Sequence, residues 1–481
     1  MALQLLQKVS RELGLSSLIA SSRDTKLLCL QRFVRLFAYG CTTLILALYL
    51  SSVGVSDSRI GAFMSLTLLG DVAISFLLTL FADALGRRKI LAFGAGLMTA
   101  SGIIFSFTRN YWMMLAASVV GVISPSGNEI GPFKAVEEST LSHLTSLETR
   151  SDILAWYTLL GAAGTACGTI VCGWLVEKLQ QVEGWKDTDA YRMVFILYAC
   201  LGVVKMCLTL MLSRGCEAEK DKPPAYEALE MGNQDVEAEG LLDTEDEDQE
   251  SGSEREPEPG PPTREPSSPQ QKGIFRRLIP SISHESRTLV LKLCLLFGID
   301  STASGLVPLS WMTYFFSRKF SLPEGNLGTL FFVTNIISSA STLVASSIAK
   351  RIGLVKAMVF THLPSAIMLA LIPAPNVVWL AMIFLVLRSC TSSMDQAPRQ
   401  AFLAAAVLPN ERTAVMGMVN VVKTLSQSIG LAGTGLLAGG GKFWMAFVIA
   451  GSMKAGYDLA MLKMFSKYQT REQKQQEEEG K

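Results

Sequence analysis

Twelve apolar runs, each long enough to cross a lipid bilayer, limit this chain more than any other feature. They lie at about 30–53, 60–82, 89–108, 112–138, 151–176 and 190–213, then at about 287–315, 325–349, 354–374, 376–406, 411–438 and 443–466. A spanning helix needs about 20 apolar residues, so twelve of them use about half of the 481 residues, close to the 49% that are apolar. Charged residues make up 18% of the chain, against about 25% in an average soluble domain. A soluble enzyme, a collagen-like chain and a disulfide framework are excluded at this step. The expected fold is an all-α membrane protein, with twelve transmembrane helices in two pseudo-symmetric six-helix bundles around a central cavity.

The net charge of +1 hides a segregation. Between Gly215 and Gln271 there are 18 acidic and 4 basic residues, and the rest of the chain holds 24 acidic and 39 basic. The basic residues sit in short clusters between apolar runs and not on one soluble face, so no nucleic-acid partner is indicated. One set of connections carries them: Arg87, Arg88 and Lys89; Arg276 and Arg277; Lys350, Arg351 and Lys356; then Lys463, Lys467 and Arg471. The positive-inside bias therefore puts both termini and the acidic stretch in the cytosol. That stretch also holds 8 of the 18 prolines and almost no aromatics, too little apolar surface to offset its ordering entropy. The expected organisation is a cytosolic segment over 1–29, a six-helix bundle over 30–213, a disordered acidic linker over 214–285, a second bundle over 286–466 and a cytosolic tail over 467–481.

Seven of the nine cysteines lie inside apolar runs and no CxxC pair exists, so neither a disulfide framework nor a zinc site is indicated. His143, His284 and His362 are not spaced as metal ligands. There is no nucleophile elbow, phosphate loop or His-Glu-x-x-His motif. The reading is therefore not an enzyme, with no cofactor and no metal.

The two halves echo each other. Asn128-Glu129-Ile130-Gly131-Pro132 in the fourth run is answered by Met394-Asp395-Gln396-Ala397-Pro398 in the tenth, an acid three residues before a proline in both. Gly202-Val203-Val204-Lys205 in the sixth run is answered by Gly451-Ser452-Met453-Lys454 in the twelfth. The loop Ala82-Asp83-Ala84-Leu85-Gly86-Arg87-Arg88-Lys89 after the second run has its counterpart after the eighth, from Ala349 to Lys356. Duplicated helix sets of this kind build many secondary transporters, with the site between the halves near the midplane.

The stretch Asp83-Ala84-Leu85-Gly86-Arg87-Arg88-Lys89 resembles the signature loop of the major facilitator superfamily, with Thr79 and Ala84 where that loop has Gly and Arg. A poorly characterised branch of the superfamily is more similar still, through Arg32-Phe33-Val34-Arg35, Ser124 to Phe133 (with Asn128-Glu129), Ala155-Trp156-Tyr157, Asp300-Ser301 and Asp395 to Gln400. The antiporter marks of the fourth and fifth helices are absent. The resemblance implies the major facilitator fold and a gating role for Asp83, Gly86, Arg87, Arg88 and Lys89, which would lock the cytosolic side.

An ionisable group inside a bilayer costs about 2.5–3.5 kcal/mol even on the lenient insertion scale, so each one needs a partner or a purpose. Asp300 falls midway along the seventh run with no basic residue one turn away; it must take a partner from another helix or hold a proton. Asp395 and Arg399 are one turn apart and can pair. Glu129 sits between Pro125 and Pro132. Asp300, Glu129 and Asp395 are the expected coupling or binding carboxylates, Asp71 is a further candidate, and Arg399 and Arg35 are the expected counter-charges for an anionic or zwitterionic solute. Arg32 reads as an interfacial anchor, and Lys134, Glu137 and Glu138 read as solvated or interfacial. Lys454 joins this set of substrate or coupling residues, although with Asp458 four residues on it is expected to form an ion pair, and His362 reads as a packing histidine.

The acidic stretch carries short regulatory patterns. Pro223-Pro224-Ala225-Tyr226 fits the WW-domain ligand pattern, Tyr226 to Leu229 a tyrosine sorting signal, and Glu237 to Leu242, with Leu241-Leu242, an acidic dileucine signal. A WW-domain ubiquitin ligase or a sorting adaptor is the partner expected there.

The function expected is secondary active transport of a small organic solute by alternating access, coupled to protons, in the plasma membrane or an endolysosomal or vacuolar membrane. Two alternatives stand beside it: an uncoupled facilitator of the same fold, and a non-transporting receptor or scaffold that signals through the acidic linker.

Overall fold

The computed structural model describes residues 15–121, 123, 132–217, 284–407 and 411–465. Among these residues the regular structure is helical. The short α1 (Leu15–Ala20) precedes the first six crossings: α2 (Arg23–Ser52), α3 (Asp57–Leu85), α4 (Arg87–Phe107), α5 (Tyr111–Val120) with α6 (Pro132–Leu144), α7 (Leu147–Gln180) and α8 (Asp187–Leu210). The second six are α9 (His284–Leu306) with α10 (Leu309–Phe320), α11 (Glu324–Ile352), α12 (Leu354–Leu371), α13 (Val378–Ser389) with α14 (Gln396–Ala406), α15 (Arg412–Gly439) and α16 (Phe443–Phe465). Among the described residues, eight helical stretches are long and apolar enough to cross a membrane, and α5 and α13 are shorter apolar helices.

Three of the twelve apolar runs are therefore each divided between two helices. The seventh breaks at Pro308, which caps α10 in extended geometry; proline has no N–H to continue the ladder of α9. The tenth breaks over 390–395, and the fourth is divided between α5 and α6. Polar residues start helices where the apolar pattern alone leaves the edge open: Ser22 accepts from Thr25 N–H and Asn110 from the N–H groups of Trp112 and Met113. The repeated loops start α4 and α12 in one way. Gly86 has φ 97° and Gly353 φ 87°, a region L side chains avoid.

Packing repeats as the sequence does. In the first half α2 lies on α7 and α4 on α8; in the second α9 lies on α15 and α12 on α16. The halves meet along two seams, α3 against α15 and α7 against α11. Both seams close on paired glycines. A Cβ on Gly61 would stand 2.7 Å from Gly435 Cα, and one on Gly173 2.9 Å from Gly328 Cα. Between apolar lipid tails no hydrophobic gain drives helices together, so close backbone approach at small residues supplies the association.

The start of the first crossing at Arg23 and the end of the last at Phe465 define a near end; the turn 53–56 lies at the opposite, far end. Gly61, Gly435, Gly173 and Gly328 all lie toward the far end of their helices.

Candidate functional site

Each half encloses a carboxylate held by two cations. In the first half it is Glu137, fully buried on α6. Arg35 Nη2 donates to its Oε2 at 3.0 Å, Lys205 Nζ to its Oε1 at 3.1 Å, and the Tyr157 hydroxyl to its Oε2 at 2.5 Å. The Phe133 ring faces the cluster, 3.9 Å from Lys205 Nζ and 5.5 Å from the Arg35 guanidinium. Arg32 lies 4.6 Å over the Tyr157 ring. Buried against Tyr157 and Gly161 of α7, it is not the interfacial anchor the sequence suggests.

In the second half the carboxylate is Asp300, buried on α9. Lys454 Nζ donates to its Oδ1 at 2.8 Å and to Ser304 Oγ at 2.9 Å, while Arg399 Nη1 donates to Oδ2 at 2.8 Å. Arg399 also bonds Asp395 one turn back, and its guanidinium lies 5.7 Å from both the Phe297 and Tyr457 rings. From α15, Lys423 stands in the field of Asp300 and Asp395, without a hydrogen bond among the described residues.

Two expectations are corrected here. Lys454 does not pair with Asp458, because Asp300 and Ser304 on α9 capture its ammonium. Asp458 instead takes His362, whose Nδ1 stands 3.0 Å from both carboxylate oxygens. Glu137 is not solvated or interfacial; Arg35, Lys205 and Tyr157 converge on it from three other helices. Its neighbours behave as expected at a surface, with Lys134 and Glu138 part-exposed and 3.9 Å apart.

Asp71 is buried on α3. Glu129 lies outside the described residues, as do Pro223, Pro224, Tyr226, Glu237, Leu241 and Leu242. The signature-like loop is described in part. Asp83 falls in the last turn of α3, with its side chain outside the described set. Gly86 caps α4, Lys89 is exposed, and Arg88 Nη2 reaches Leu210 O at 3.5 Å. Arg87 N–H donates to Glu217 Oε2 at 2.7 Å. The carboxylate thus sits at the helix N-terminus, where the macrodipole favours it.

The far end holds groups that sequence reasoning missed. Across one flank Asp57 on α3 receives Arg318 Nη1 at 2.5 Å and the Tyr314 hydroxyl at 2.8 Å, both from α10. Across the other, Glu177 accepts from Gly325 N–H at 2.9 Å and Glu324 accepts from the Tyr191 hydroxyl at 2.6 Å. Between them Thr43 and Ser310 join α2 to α10 at 3.0 Å. The two halves are clamped together at this end. Isolated charges in short turns give no sequence signal for such contacts, since their partners lie more than 130 residues away.

The Major Facilitator Superfamily profile matches residues 28–315 and 289–481. The chain belongs to the major facilitator superfamily. Its apolar helices are membrane-spanning, and its two six-helix halves are those of the facilitator fold. An uncharacterized membrane protein of Saccharomyces cerevisiae, YJR124C, is 37% identical over 447 residues, 92% of this chain and 94% of that protein. Among solved structures, a mutant form of the nucleoside transporter NupG is similar with a TM-score of 0.65 at 13% identity, covering 92% of this chain and 99% of NupG. A D-xylose-proton symporter is similar with a TM-score of 0.63 at 13% identity, covering 91% and 97%. Within this facilitator fold, the buried triads belong to crossings one, four and six and, in the second half, seven, ten and twelve. The protein is a membrane transporter and not an enzyme.

Proposed function

We propose that this facilitator carries a small organic solute by alternating access, driven by a proton gradient, with Asp300, Asp395 and Arg399 at the heart of its site. The observation that carries the reading is the Asp300 cluster: a carboxylate deep in the bilayer shared between Arg399 and Lys454, which a proton or a charged solute can unbind by competing for either partner. Glu137 with Arg35 and Lys205 forms the matching cluster of the other half. Asp71 and Glu129 complete the proposed set on the second and fourth crossings.

The far-end clamp supports a state closed on that side. Positive charge at the near end, in Arg87, Arg88, Lys89, Arg351 and Lys356, supports a cytosolic near end. On this reading Asp83, Gly86, Arg87, Arg88 and Lys89 form the latch of the cytosolic side, and the acidic stretch 214–285 links the bundles. The similar structures are a nucleoside transporter and a D-xylose-proton symporter, which agrees with a small polar solute.

An uncoupled facilitator is favoured by one observation. Asp300 already has two cationic partners, so it needs no proton in this state. The deciding experiment compares metabolites in cells with and without the protein, then measures uptake of the enriched or depleted solute into proteoliposomes at two pH values. Coupled transport follows the imposed gradient and is lost in Asp300→Asn; facilitated transport ignores the gradient and survives the substitution.

The plasma membrane and an endolysosomal or vacuolar membrane both fit the linker's sorting patterns. Docking of a WW-domain ligase or sorting adaptor at Tyr226 rests on the sequence pattern alone. Unchanged turnover and location in Tyr226→Ala would remove it.

A further inference from the structure

Arg388 is a cation inside the tenth crossing with no protein partner among the described residues. It lies in the last turn of α13, ten residues from Val378, which places it about 15 Å along the helix in a hydrocarbon layer about 30 Å thick. Its side chain makes no hydrogen bond, ion pair or ring contact with any of those residues. Among the described residues no carboxylate pairs with it, and burial is what sets its surroundings apart from water. The other embedded arginines differ. Arg35 is taken by Glu137, Arg399 by Asp300 and Asp395, and Arg32 lies over Tyr157.

A structural explanation for Arg388 would be helix capping, since a cation suits a helix C-terminus. The backbone fills part of that role itself, and no bond from the guanidinium to a carbonyl is present among the described residues. Cys390 N–H already bonds Val386 O at 3.2 Å, and the N–H groups of Thr391 and Ser392 bond Arg388 O at 3.2 and 2.9 Å. Immediately beyond the guanidinium the crossing breaks into a turn over 390–395 that carries Thr391, Ser392 and Ser393, all part-exposed. Irregular backbone at membrane depth is tolerated where it is buried in protein or lines a wet cavity. Within the turn, Thr391 Oγ1 is buried and has no hydrogen-bond partner. Thr391 stands on the turn that Arg388 opens, its N–H bonding Arg388 O at 3.2 Å.

We propose that this break is an anion-recognition subsite, in which the Arg388 guanidinium and the Thr391 hydroxyl take a carboxylate or phosphate group of the transported solute. A guanidinium presents paired donors that match either anion, and a neighbouring hydroxyl supplies a third. The proposal rests on the transporter reading for its solute, while binding can be measured without transport.

The test uses the full chain in phosphatidylcholine nanodiscs, with thermal unfolding followed against inorganic phosphate, citrate and glutamate, and against xylose and uridine as neutral probes. At least one anion should raise the unfolding temperature of the wild type. Arg388→Gln should need at least ~10-fold more of that anion for the same shift, and its ligand-free unfolding temperature should not fall, because no hydrogen bond or ion pair is lost. Thr391→Val should weaken the anion response several-fold, which keeps the test open if the arginine variant does not fold. No response to any anion in the wild type, or an undiminished response in both variants, overturns the proposal. Stabilisation by phosphatidylserine in the disc, with none by a soluble anion, makes the occupant a headgroup and overturns it too. An anion response that depends on Arg388, without uptake of that anion into proteoliposomes, supports the subsite and counts against the transporter reading.

Discussion

Lys205 and Lys454 occupy matching places in the two repeats, and each donates to a buried carboxylate of its own half, Glu137 at 3.1 Å and Asp300 at 2.8 Å. The partners, however, have changed helices. The first half has its arginine on the first crossing and its acid on the fourth; the second has its acid on the seventh crossing and its arginine on the tenth. A buried carboxylate needs complementary cations around it, whichever helix brings them. The repeated glycines explain why the lysines arrive in register: Gly202 sits against the Thr99 backbone and Gly451 against Ala366.

Removing one member of such a cluster leaves a charge unpaired inside the protein, at a cost of about 3–5 kcal/mol. Lys454→Met and Asp300→Asn should each lower the unfolding temperature in nanodiscs, and the double variant should recover part of the loss. Equal, additive losses would show that the two side chains do not act as a pair.

Glu137 and Glu138 are adjacent, yet they should respond differently. Glu137→Gln removes the charge and one of the two oxygens that accept three bonds, and should destabilise by a few kcal/mol. Glu138→Gln touches only a part-exposed pair and should cost under about 1 kcal/mol. Chemical denaturation in detergent, run on both variants, checks the contrast.

The far-end clamp should set the balance between the two access states. Asp57→Ala removes the acceptor of Arg318 and Tyr314 and should raise the far-open population several-fold, since about 1.4 kcal/mol is a factor of ten. With Thr43→Cys in a cysteine-free background, a membrane-impermeant maleimide should label the Asp57→Ala protein faster than its parent. Equal rates would show that Asp57 does not hold the far end shut.

At the near end, outside the membrane, burial and the adjacent Asp24 carboxylate push the Cys216 thiol up to about 12. Thiolate, the reactive form, is then scarce at neutral pH and grows only in strong base. Alkylation by iodoacetamide at pH 8 should therefore spare Cys216 in the folded protein and modify it after unfolding, as read by peptide mass spectrometry.

The crossings were legible because hydrocarbon demands long apolar runs, and the duplicated motifs were legible because helix register repeats with them. Asp300, Asp395 and Arg399 stood out as charges in apolar surroundings, and the structure brings all three together. Glu137 did not, since Lys134 and Glu138 beside it give the segment a solvated look and its partners come from the first, fifth and sixth crossings. The Lys454–Asp458 spacing suggested a local pair, but a four-residue spacing cannot reveal that Asp300 offers Lys454 a better one across the bundle, or that His362 is aimed at Asp458. Arg388 carries no motif or spacing that singles it out in the sequence; only the folded chain around it leaves it unpaired among the described residues.

The central claim is alternating access, and inter-label distances at the two ends test it without knowledge of the solute. Spin labels at Ser56 and Lys442 report the far end, and labels at Lys89 and Lys356 the near end, all four residues being exposed. In Asp57→Ala the far-end distance should lengthen while the near-end distance shortens. A far end that opens with the near-end distance unchanged would contradict the account.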